Sequence, residues 1–506
     1  MELMDNVILG FGMALSMQNL FWCFIGVFLG TMLGALPGIG SLAAVSMLLP
    51  LTIGLPPTTA LVMLAGVYYG SEYGGSTASI LLNLPGTPTN AVTCLDGYPM
   101  AQQGRAGVAL FATTIASFIG GTFGIILLYT VSPLLAGAAI AIGPAEYFAL
   151  MVAGLVAAAV VSDERPLKGV AMVVLGLMLG TIGTDVDSGV ARYSLGYLEL
   201  RDGISFIALA MGLFGVSEVI MSLRSSMGAR RPIGKVTFRS MLPARGEWRA
   251  SAGPVARGSV LGGIFGALPG TGPTIATFLG YAMEKKLARD PSRFGKGAIE
   301  GVVSPESANN SAAQTAFIPT LTLGIPGSAT MAIMLGALIM NGVAPGPQLI
   351  TNNPEIFWGL AASFWIGNVL LLVLNIPLIG LWIRLLQIPY TLLYPAILVL
   401  ICIGTYTVRN SAFDIVLVLI FGLAGYVLRR LEFQLAPVLI GFILGPMIEE
   451  NFKRAMLFSR GDFMTFLERP VSGITLTLTA GLLGWAVFKT LAGRRKRARP
   501  GAPPGP

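Results

Sequence analysis

The most informative absence in this sequence is histidine, which occurs nowhere among its 506 residues. The chain therefore lacks the side chain that most often relays protons near neutral pH and binds transition metals. If this protein moves a proton, a carboxylate must carry it. Cysteine is almost as scarce, because Cys23, Cys94 and Cys402 are the only three and lie far apart, in or beside apolar runs. They predict neither a disulfide framework nor a zinc site.

Charged residues are also few, at 11% of the chain, whereas soluble domains carry roughly 25%. Hydrophobic residues reach 54%, and the mean hydropathy is +0.77. Apolar runs near or above the ~20 residues that span a bilayer recur along the chain. They predict an all-α polytopic membrane protein with about 10–12 transmembrane helices. The main runs are residues 107–131, 147–161, 204–223, 357–386, 414–428 and 474–488.

Lysine and arginine are missing from the whole region before Arg105. The net charge of +8 instead comes from short stretches between apolar runs, which indicates membrane topology and not a nucleic-acid partner. The positive-inside rule places residues 224–257, residues 285–296 and the basic C-terminal tail in the cytoplasm. The N-terminus has no basic region of a cleavable signal, so we expect its first apolar stretch to be retained.

Two segments of the chain repeat one another. Residues 30–44 read GTMLGALPGIGSLAA and residues 262–276 read GGIFGALPGTGPTIA, with eight identical positions. Such self-similarity is typical of transporters built from two related halves. The sequence therefore predicts a duplication.

A second correspondence follows in the same order. Glu72 pairs with Glu306 at nearly the same distance from the first motif, and Pro85-Gly86 then pairs with Pro326-Gly327. This alignment puts a few inserted residues of the second copy between the acid and the Pro-Gly pair. Each copy would then have two Pro-Gly breaks with one acid between them.

Charge also predicts the orientation of the copies. Basic loops flank the first element of the second copy, about residues 258–283, so this element should enter and leave on one side. It would be a re-entrant hairpin or two short helices. The first copy lacks such charges, which favours inverted repeats; the alternative is that its loops are short and have no topogenic role.

The predicted segments are 1–18, an N-terminal amphipathic segment; 19–223, the first repeat and its scaffold helices; 224–252, a basic cytoplasmic loop; 253–490, the second repeat and its scaffold helices; and 491–506, a basic, disordered cytoplasmic tail.

The Pro-Gly breaks predict where a binding site lies. Broken backbone inside a membrane is tolerated where it lines a protein or water cavity, and it exposes helix N-termini that suit a carboxylate and carbonyls that suit a small cation. The alternative is that these small residues only allow helices to pack closely. The candidate substrate- and ion-binding residues are Pro37, Gly38, Gly40, Ser41, Glu72, Ser76, Thr77, Pro85, Gly86, Thr87, Asn90, Pro269, Gly270, Thr271, Gly272, Thr274, Glu306, Asn309, Asn310, Ser311, Pro326, Gly327 and Ser328.

Glu72 and Glu306 are the sharpest candidates, because an ionisable group at membrane depth is costly and usually marks an ion path. They would bind a cation or carry a proton. The alternative is a carboxylate that caps a helix or is paired structurally. A sodium ion is expected near Gly38, Gly270, Glu72 or Glu306, and no other metal or cofactor is predicted.

At these residues the sequence resembles a known family. GALPGIG at 34–40, GALPGTG at 266–272, YGSEYGGSTASILLNLPGTP at 69–88, PESANNSA at 305–312 and LGIPGSATMA at 323–332 look like the hallmark segments of the large permease subunit, TctA, of tripartite tricarboxylate transporters. The resemblance extends from Asn19 to about Phe488. No motif departs from the family pattern enough to put it in doubt.

This resemblance implies a multi-pass permease of the bacterial inner membrane that imports citrate-like tricarboxylates or related organic carboxylates. It implies symport driven by a sodium or proton gradient with alternating access around a mid-membrane site, and the chain has no Walker A motif for ATP. The implied partners are a small four-helix membrane subunit and a periplasmic solute-binding protein. By analogy with other carboxylate transporters, the pattern is compatible with an elevator-like architecture. Whether the permease forms a homo-oligomer is left open.

Two other functions would require different sequence features. A passive anion channel would need neither a binding protein nor a cation gradient, and the duplicated broken helices argue for a transporter instead. An intramembrane enzyme would need clustered Asp or His, or a nucleophile with its base, and the sequence has no histidine. We therefore expect no enzyme activity, while the identity of the acid, the coupling ion and the oligomeric state are left open.

Overall fold

The computed structural model describes residues 2–140, 142–161, 166–185, 188–225, 238–268, 272–385 and 390–497. These residues are almost entirely helical, which confirms the predicted all-α membrane fold. The helices are α1 Glu2–Ala14, α2 Met17–Ala35, α3 Gly40–Leu48, α4 Pro57–Leu82, α5 Ala91–Met100, α6 Ala106–Ile140, α7 Pro144–Val161, α8 Pro166–Gly180, α9 Phe206–Ala210, α10 Ser217–Ser225, α11 Phe238–Met241, α12 Arg245–Ala267, α13 Gly272–Leu287, α14 Glu300–Thr315, α15 Phe317–Leu323, α16 Ala329–Met340, α17 Gln348–Asn352, α18 Pro354–Asn375, α19 Ile379–Leu385, α20 Tyr390–Arg409, α21 Ala412–Arg430, α22 Ala436–Phe458, α23 Thr465–Glu468 and α24 Pro470–Arg497. Two short strands, β1 Gly183–Thr184 and β2 Ala191–Arg192, pair antiparallel, and tighter or wider helical turns occur at Leu49–Thr52, Pro88–Asn90, Ala101–Arg105, Met211–Val216 and Pro291–Arg293.

Four helical stretches of the described residues are long and apolar enough to cross a bilayer. They are Met17–Ala35, Pro88–Ala139, Pro354–Asn375 and Ala412–Arg430. Shorter apolar helices are found at Gly40–Thr52, Pro144–Val160, Pro166–Gly180, Phe206–Met221, Ala329–Met340, Tyr394–Arg409 and Pro470–Ala486. Two of these shorter helices, Gly40–Thr52 and Ala329–Met340, follow Pro-Gly pairs of the repeats, which interrupt the preceding helix. The predicted number of crossings stays a prediction.

The chain forms two compact units. Unit 1 comprises Met1–Ile140 and Ser205–Val427, and unit 2 comprises Ala141–Ile204 and Leu428–Pro506. Both repeat copies lie in unit 1. Unit 2 is built from one later segment after each copy, Ala141–Ile204 and Leu428–Pro506. These units are defined by contacts and not by the order of the sequence, so the predicted segment boundaries stay predictions.

Unit 2 is held by close helix packing and by ion pairs at helix ends. A Cβ on Gly176 of α8 would lie 2.1 Å from the backbone oxygen of Val438 in α22, so only glycine allows this approach. Arg192 of β2 pairs with Glu449 of α22 at 2.8 Å. A small apolar core forms around Phe466, with Phe148 and Phe452 packed against it.

In unit 1 each repeat copy contains the same glycine-lined helix pair. Gly26, Gly30 and Gly34 of α2 face backbone oxygens of α4, and a Cβ at any of them would lie 2.1–2.4 Å from an oxygen. Gly258, Gly262 and Gly266 of α12 face α14 in the same way. Contact this close requires residues without a side chain, which explains the regular glycine spacing.

The helix break is also repeated. α2 ends at Ala35 and α12 at Ala267, and each is followed by an extended leucine, Leu36 or Leu268. The next helix begins at Gly40 or Gly272, whose φ angles are 65° and 63°. These left-handed angles suit glycine, and the matched backbone supports the predicted duplication of the first motif.

In the second correspondence predicted from sequence, the structure supports the pairing of Pro85 with Pro326 but not that of Glu72 with Glu306. Gly34 and Gly266 are 232 positions apart, whereas their contacts Ser71 and Ala312 are 241 apart. The left-handed helix ends at Asn83 and Gly324, and the following prolines Pro85 and Pro326, are also 241 apart. The extra residues of the second copy therefore lie before α14 and not after its acid.

Glu72 and Glu306 are consequently not equivalent positions. With the register set by helix packing, Ala313 corresponds to Glu72 and Ala65 corresponds to Glu306. Their nearly equal distances from the first motif are coincidental. The two copies share the same backbone arrangement but carry their acids at different positions along α4 and α14.

Candidate functional site

The two acids lie on the two most enclosed helices of unit 1. α4 is buried from Thr58 to Leu81, and α14 is buried from Gly301 to Thr315. A helix buried on all sides belongs to the interior of its unit. Glu72 and Glu306 are each 1% exposed, so both carboxyl groups must find their partners inside the protein.

Glu72 receives hydrogen bonds from both repeat copies. Its Oε2 accepts from the hydroxyls of Thr87 at 3.2 Å and Thr89 at 2.6 Å. It also accepts from Nδ2 of Asn309 at 3.1 Å. The threonines follow the second Pro-Gly break of the first copy, and Asn309 belongs to α14 of the second copy. This carboxylate is therefore a junction between the copies.

Glu306 makes the reciprocal connection. Its Oε1 accepts from Nδ2 of Asn90 at 3.0 Å and from the hydroxyl of Thr93. Its Oε2 accepts from the hydroxyl of Ser117 on α6 at 3.4 Å. The acid of the second copy is thus held by residues of the first copy and of the helix after it.

A short chain of polar groups joins the two acids. The hydroxyl of Thr87 contacts both Oε2 of Glu72 and Oδ1 of Asn90. Nδ2 of Asn90 in turn donates to Glu306. Within the described residues every group that donates to either carboxylate is a neutral hydroxyl or amide, and neither acid forms an ion pair.

The two breaks within each copy also meet. In the first copy the backbone N–H of Gly40 donates to the backbone oxygen of Gly86 at 3.1 Å. In the second copy a Cβ on Gly272 would lie 3.7 Å from the Cβ of Ser328, and one on Gly327 would lie 3.5 Å from the oxygen of Gly266. The two breaks of each copy are therefore close together at the residues described, while the prediction that all four line one site stays a prediction.

Several predicted site residues instead make local structural bonds. The hydroxyl of Ser76 donates to the oxygen of Tyr73 within α4, and that of Ser311 donates to the oxygen of Ser259 on α12. Asn310 donates to the backbone oxygen of Glu306, and Ser328 caps α16 by accepting from the N–H of Met331. Among the described atoms, the following make no hydrogen bond to either acid: Pro37, Gly38, Ser41, Thr77, Pro85, Thr274 and Pro326. Pro269, Gly270 and Thr271, with the sodium predicted near Gly270, lie outside the described residues.

Sequence reasoning missed three residues of this network. Thr89, Thr93 and Ser117 are not among the candidates predicted from the sequence. Thr93 lies three positions after Asn90, and this helical spacing puts both on one face of the chain, so the pattern could have found it. Ser117 comes from a different part of the sequence and gives no local signal.

Two buried oxygens beside this network have no hydrogen-bond partner in the described part of the chain. They are Oδ1 of Asn309 and Oε1 of Gln314, both on α14. A buried polar atom without a partner is uncommon and calls for an explanation. Asn309 presents its amide nitrogen to Glu72 and leaves its oxygen available as a ligand.

Comparisons with known proteins show the family to which this chain belongs. A family model described as the tripartite tricarboxylate transporter TctA family matches residues 20–440. An Agrobacterium vitis protein, described as an uncharacterised 52.8 kDa protein in the TAR-I ttuC' 3' region, is 46% identical over 497 residues, 98% of this chain and 99% of that protein. A second A. vitis protein, from the TAR-II ttuC' 3' region, is 49% identical over 234 residues, 46% of this chain and 97% of that protein. No solved structure matches. The chain therefore belongs to the tripartite tricarboxylate transporter TctA family.

Proposed function

We propose that this chain is the permease of a binding-protein-dependent secondary transporter that imports tricarboxylates or related organic carboxylates. It works in the bacterial inner membrane, with its C-terminus in the cytoplasm, together with a small four-helix membrane subunit and a periplasmic binding protein. A sodium or proton gradient drives symport by alternating access. The observation that supports this most is the polar network through which Thr87 and Asn90 connect Glu72 to Glu306.

The need for a coupling ion follows from charge. Two carboxylates buried without a basic partner carry a large desolvation cost if both are ionised. A bound cation or a proton removes that cost. Uptake of the ion at Glu72, Glu306 or both would also offset the negative charge of an incoming carboxylate.

The hydrogen-bond count around Glu72 supports the same conclusion. Thr87, Thr89 and Asn309 supply the donors that Glu72 and Asn90 accept. Oδ1 of Asn309 has no donor in the described part of the chain. A cation coordinated by this oxygen and Glu72, or a proton on Glu72 that this oxygen accepts, would supply the missing partner.

Substrate binding is assigned to the breaks beside this network. The backbone N–H groups at the starts of α3 and α13 are left without intrahelical partners, and with the positive ends of the helix dipoles they suit an anion. Thr87 and Ser328, which follow the second breaks, place hydroxyls at the corresponding positions of the two copies. Such neutral donors bind a carboxylate through hydrogen bonds alone. An arginine would add a permanent positive charge, and that charge would slow release of the substrate.

Replacing Glu306 by Gln tests the role of this acid in coupling. The amide keeps the shape of the side chain but cannot become an anion, so gradient-driven accumulation should fall to background. The assay is uptake of labelled citrate and a panel of dicarboxylates into proteoliposomes holding the tripartite system, with sodium and proton gradients imposed separately. Glu300→Gln is the matched control, because Glu300 begins the same helix and pairs with Arg293 at its surface.

The same variant separates the two coupling ions. If a proton is coupled through Glu306, the Gln side chain resembles the protonated acid, and substrate exchange without a gradient should persist. If sodium binds there, exchange should no longer respond to sodium. Gradient-driven uptake by Glu306→Gln equal to that of Glu300→Gln would remove Glu306 from the mechanism.

A further inference from the structure

A separate cleft lies between α6 and α12, and none of its lining residues bonds to the side chain of either acid. It has a volume of about 260 Å³ and also touches Val303 of α14. Its walls are apolar except for a serine and the indole N–H of a tryptophan. The lining includes Ala112, Ile115 and Ile119 on α6 and Trp248, Ala252 and Ala256 on α12.

The two walls begin at the same end of the molecule. Arg105, just before α6, forms an ion pair with Glu247 in the first turn of α12. A Cβ on Gly107 would lie 2.6 Å from the backbone oxygen of Ser240, shortly before α12. The N-terminal turns of α6 and α12 are therefore side by side, and the cleft extends from this end.

Two arginines lie on the cleft face at that end. Arg245 is seven residues, close to two helical turns, before the cleft residue Ala252. Arg249 has the same spacing to Ala256. Both guanidinium groups are exposed and form no ion pair or hydrogen bond with any described residue. The cleft thus combines an apolar wall with two uncompensated positive charges at its mouth.

We propose that this cleft binds one anionic phospholipid, with an acyl chain between α6 and α12 and the phosphate between Arg245 and Arg249. Arginine forms bidentate hydrogen bonds to phosphate oxygens. Basic pockets between membrane helices are suited to anionic headgroups. The 44% exposed Trp248 places its indole between the apolar wall and the headgroup level, where tryptophan is favoured in membrane proteins.

The charge at one end of the cleft favours a phospholipid over a helix of a partner subunit. A phospholipid has its phosphate and its acyl chains separated along its length, which matches two arginines beside an apolar wall.

A lipid at this position would reach the residues that hold Glu306. The cleft residue Ala116 precedes Ser117, whose hydroxyl donates to Glu306. Val303 lies one helical turn before Glu306 on α14. The bound chain therefore stabilises the packing of α6, α12 and α14 around that acid.

The test is native mass spectrometry of the purified full chain, titrated with phosphatidylglycerol or with phosphatidylcholine of the same chains. The wild type should bind its first phosphatidylglycerol more tightly than its first phosphatidylcholine. Since a basic residue near the surface adds about 1 kcal/mol, Arg245→Gln with Arg249→Gln should weaken phosphatidylglycerol binding about fivefold per arginine. The control Lys285→Gln with Lys286→Gln removes two exposed charges from α13, outside the cleft, and should retain the preference.

A second variant tests the apolar part. Ala252→Trp fills the cleft and should remove the tightest bound molecule of both lipids, while thermal unfolding in detergent checks that the chain remains folded. Equal losses in the arginine and lysine pairs would overturn the proposal, because the preference would then reflect overall charge. Unchanged lipid binding by Ala252→Trp would also overturn it, because filling the cleft would then displace no lipid. Neither measurement requires transport, so the outcome is independent of the proposed function.

Discussion

At the scale of single residues, the site depends on which buried oxygens have a donor. The sequence predicted Glu72, Thr87, Asn90, Glu306 and Asn309, because acids and amides beside helix breaks are rare inside apolar sequence. It did not predict the contribution of α6, because contacts between distant segments leave no local pattern. Nor could it separate hydroxyls that serve the acids from those that bond to their own helix.

Asn309→Ala should weaken the apparent affinity for the coupling ion. The change removes the inter-copy donor to Glu72 and, on our proposal, an oxygen ligand. Loss of one hydrogen bond to a charged group is worth about 1.5–3 kcal/mol, so the half-saturating concentration should rise at least roughly tenfold. The measurement is uptake rate against sodium concentration, and against pH.

The control for this change is Asn375→Ala on α18. Asn375 is buried and donates only to the backbone oxygen of Leu371 in its own helix. It should leave the dependence on the ion unchanged. The same shift in both variants would show that the effect comes from packing and not from the network.

At the scale of helices, the close approach of glycine-lined pairs sets the architecture of each copy. The first motif predicted the break and the duplication correctly, because the same Pro-Gly sequence produces the same backbone at Gly40 and Gly272. The register of the second helix was predicted wrongly from the spacing of two acids. The reliable signals were the left-handed ends, Asn83 and Gly324, and the Pro-Gly pairs that follow them.

Gly30→Ala should destabilise the first copy, since its Cβ would lie 2.4 Å from the oxygen of Val67. Separating the helices enough to admit a methyl group should cost about 1–3 kcal/mol. Gly262→Ala should do the same in the second copy. Gly137→Ala is the control, because open space surrounds that position on α6, and alanine favours a helix by about 0.5–1 kcal/mol over glycine. Equal thermal unfolding temperatures for Gly30→Ala and Gly137→Ala in detergent would contradict this packing.

A further element-scale contact joins α5 to the loop before α14. Oδ1 of Asp96 accepts the backbone N–H groups of Gly295, Gly297 and Ala298. Its Oδ2 accepts the hydroxyl of Tyr281 at 3.0 Å. One fully buried carboxylate therefore anchors the additional residues of the second copy to the first copy.

Asp96→Asn should loosen this loop, because an amide cannot accept all four hydrogen bonds and brings donors of its own. Hydrogen exchange of residues 290–299 should become faster by at least roughly tenfold. Tyr281→Phe removes one of the four bonds and should give a smaller increase. Unchanged exchange in Asp96→Asn would show that the loop is held by other contacts.

At the scale of the whole molecule, both repeat copies and the complete network belong to unit 1. Unit 2 collects the segments that follow each copy. An elevator-like mechanism requires one body that carries the site and another body of different chain segments, and this division is compatible with that proposal. The sequence could not reveal it, because α7 and α8 are separated from α22 by the whole second repeat and only their packing brings them together.

The central claim is that one network shared by both copies binds the coupling ion together with the substrate. Its most direct test is the affinity of the purified permease for citrate, or for the first acid of the panel that it binds, measured over a range of sodium concentration and pH. The account predicts that one of these cations tightens binding to the wild type, and that Glu72→Gln and Glu306→Gln each weaken or abolish this dependence. If substrate binding by both variants depended on the cation as strongly as binding by the wild type, this claim would be contradicted.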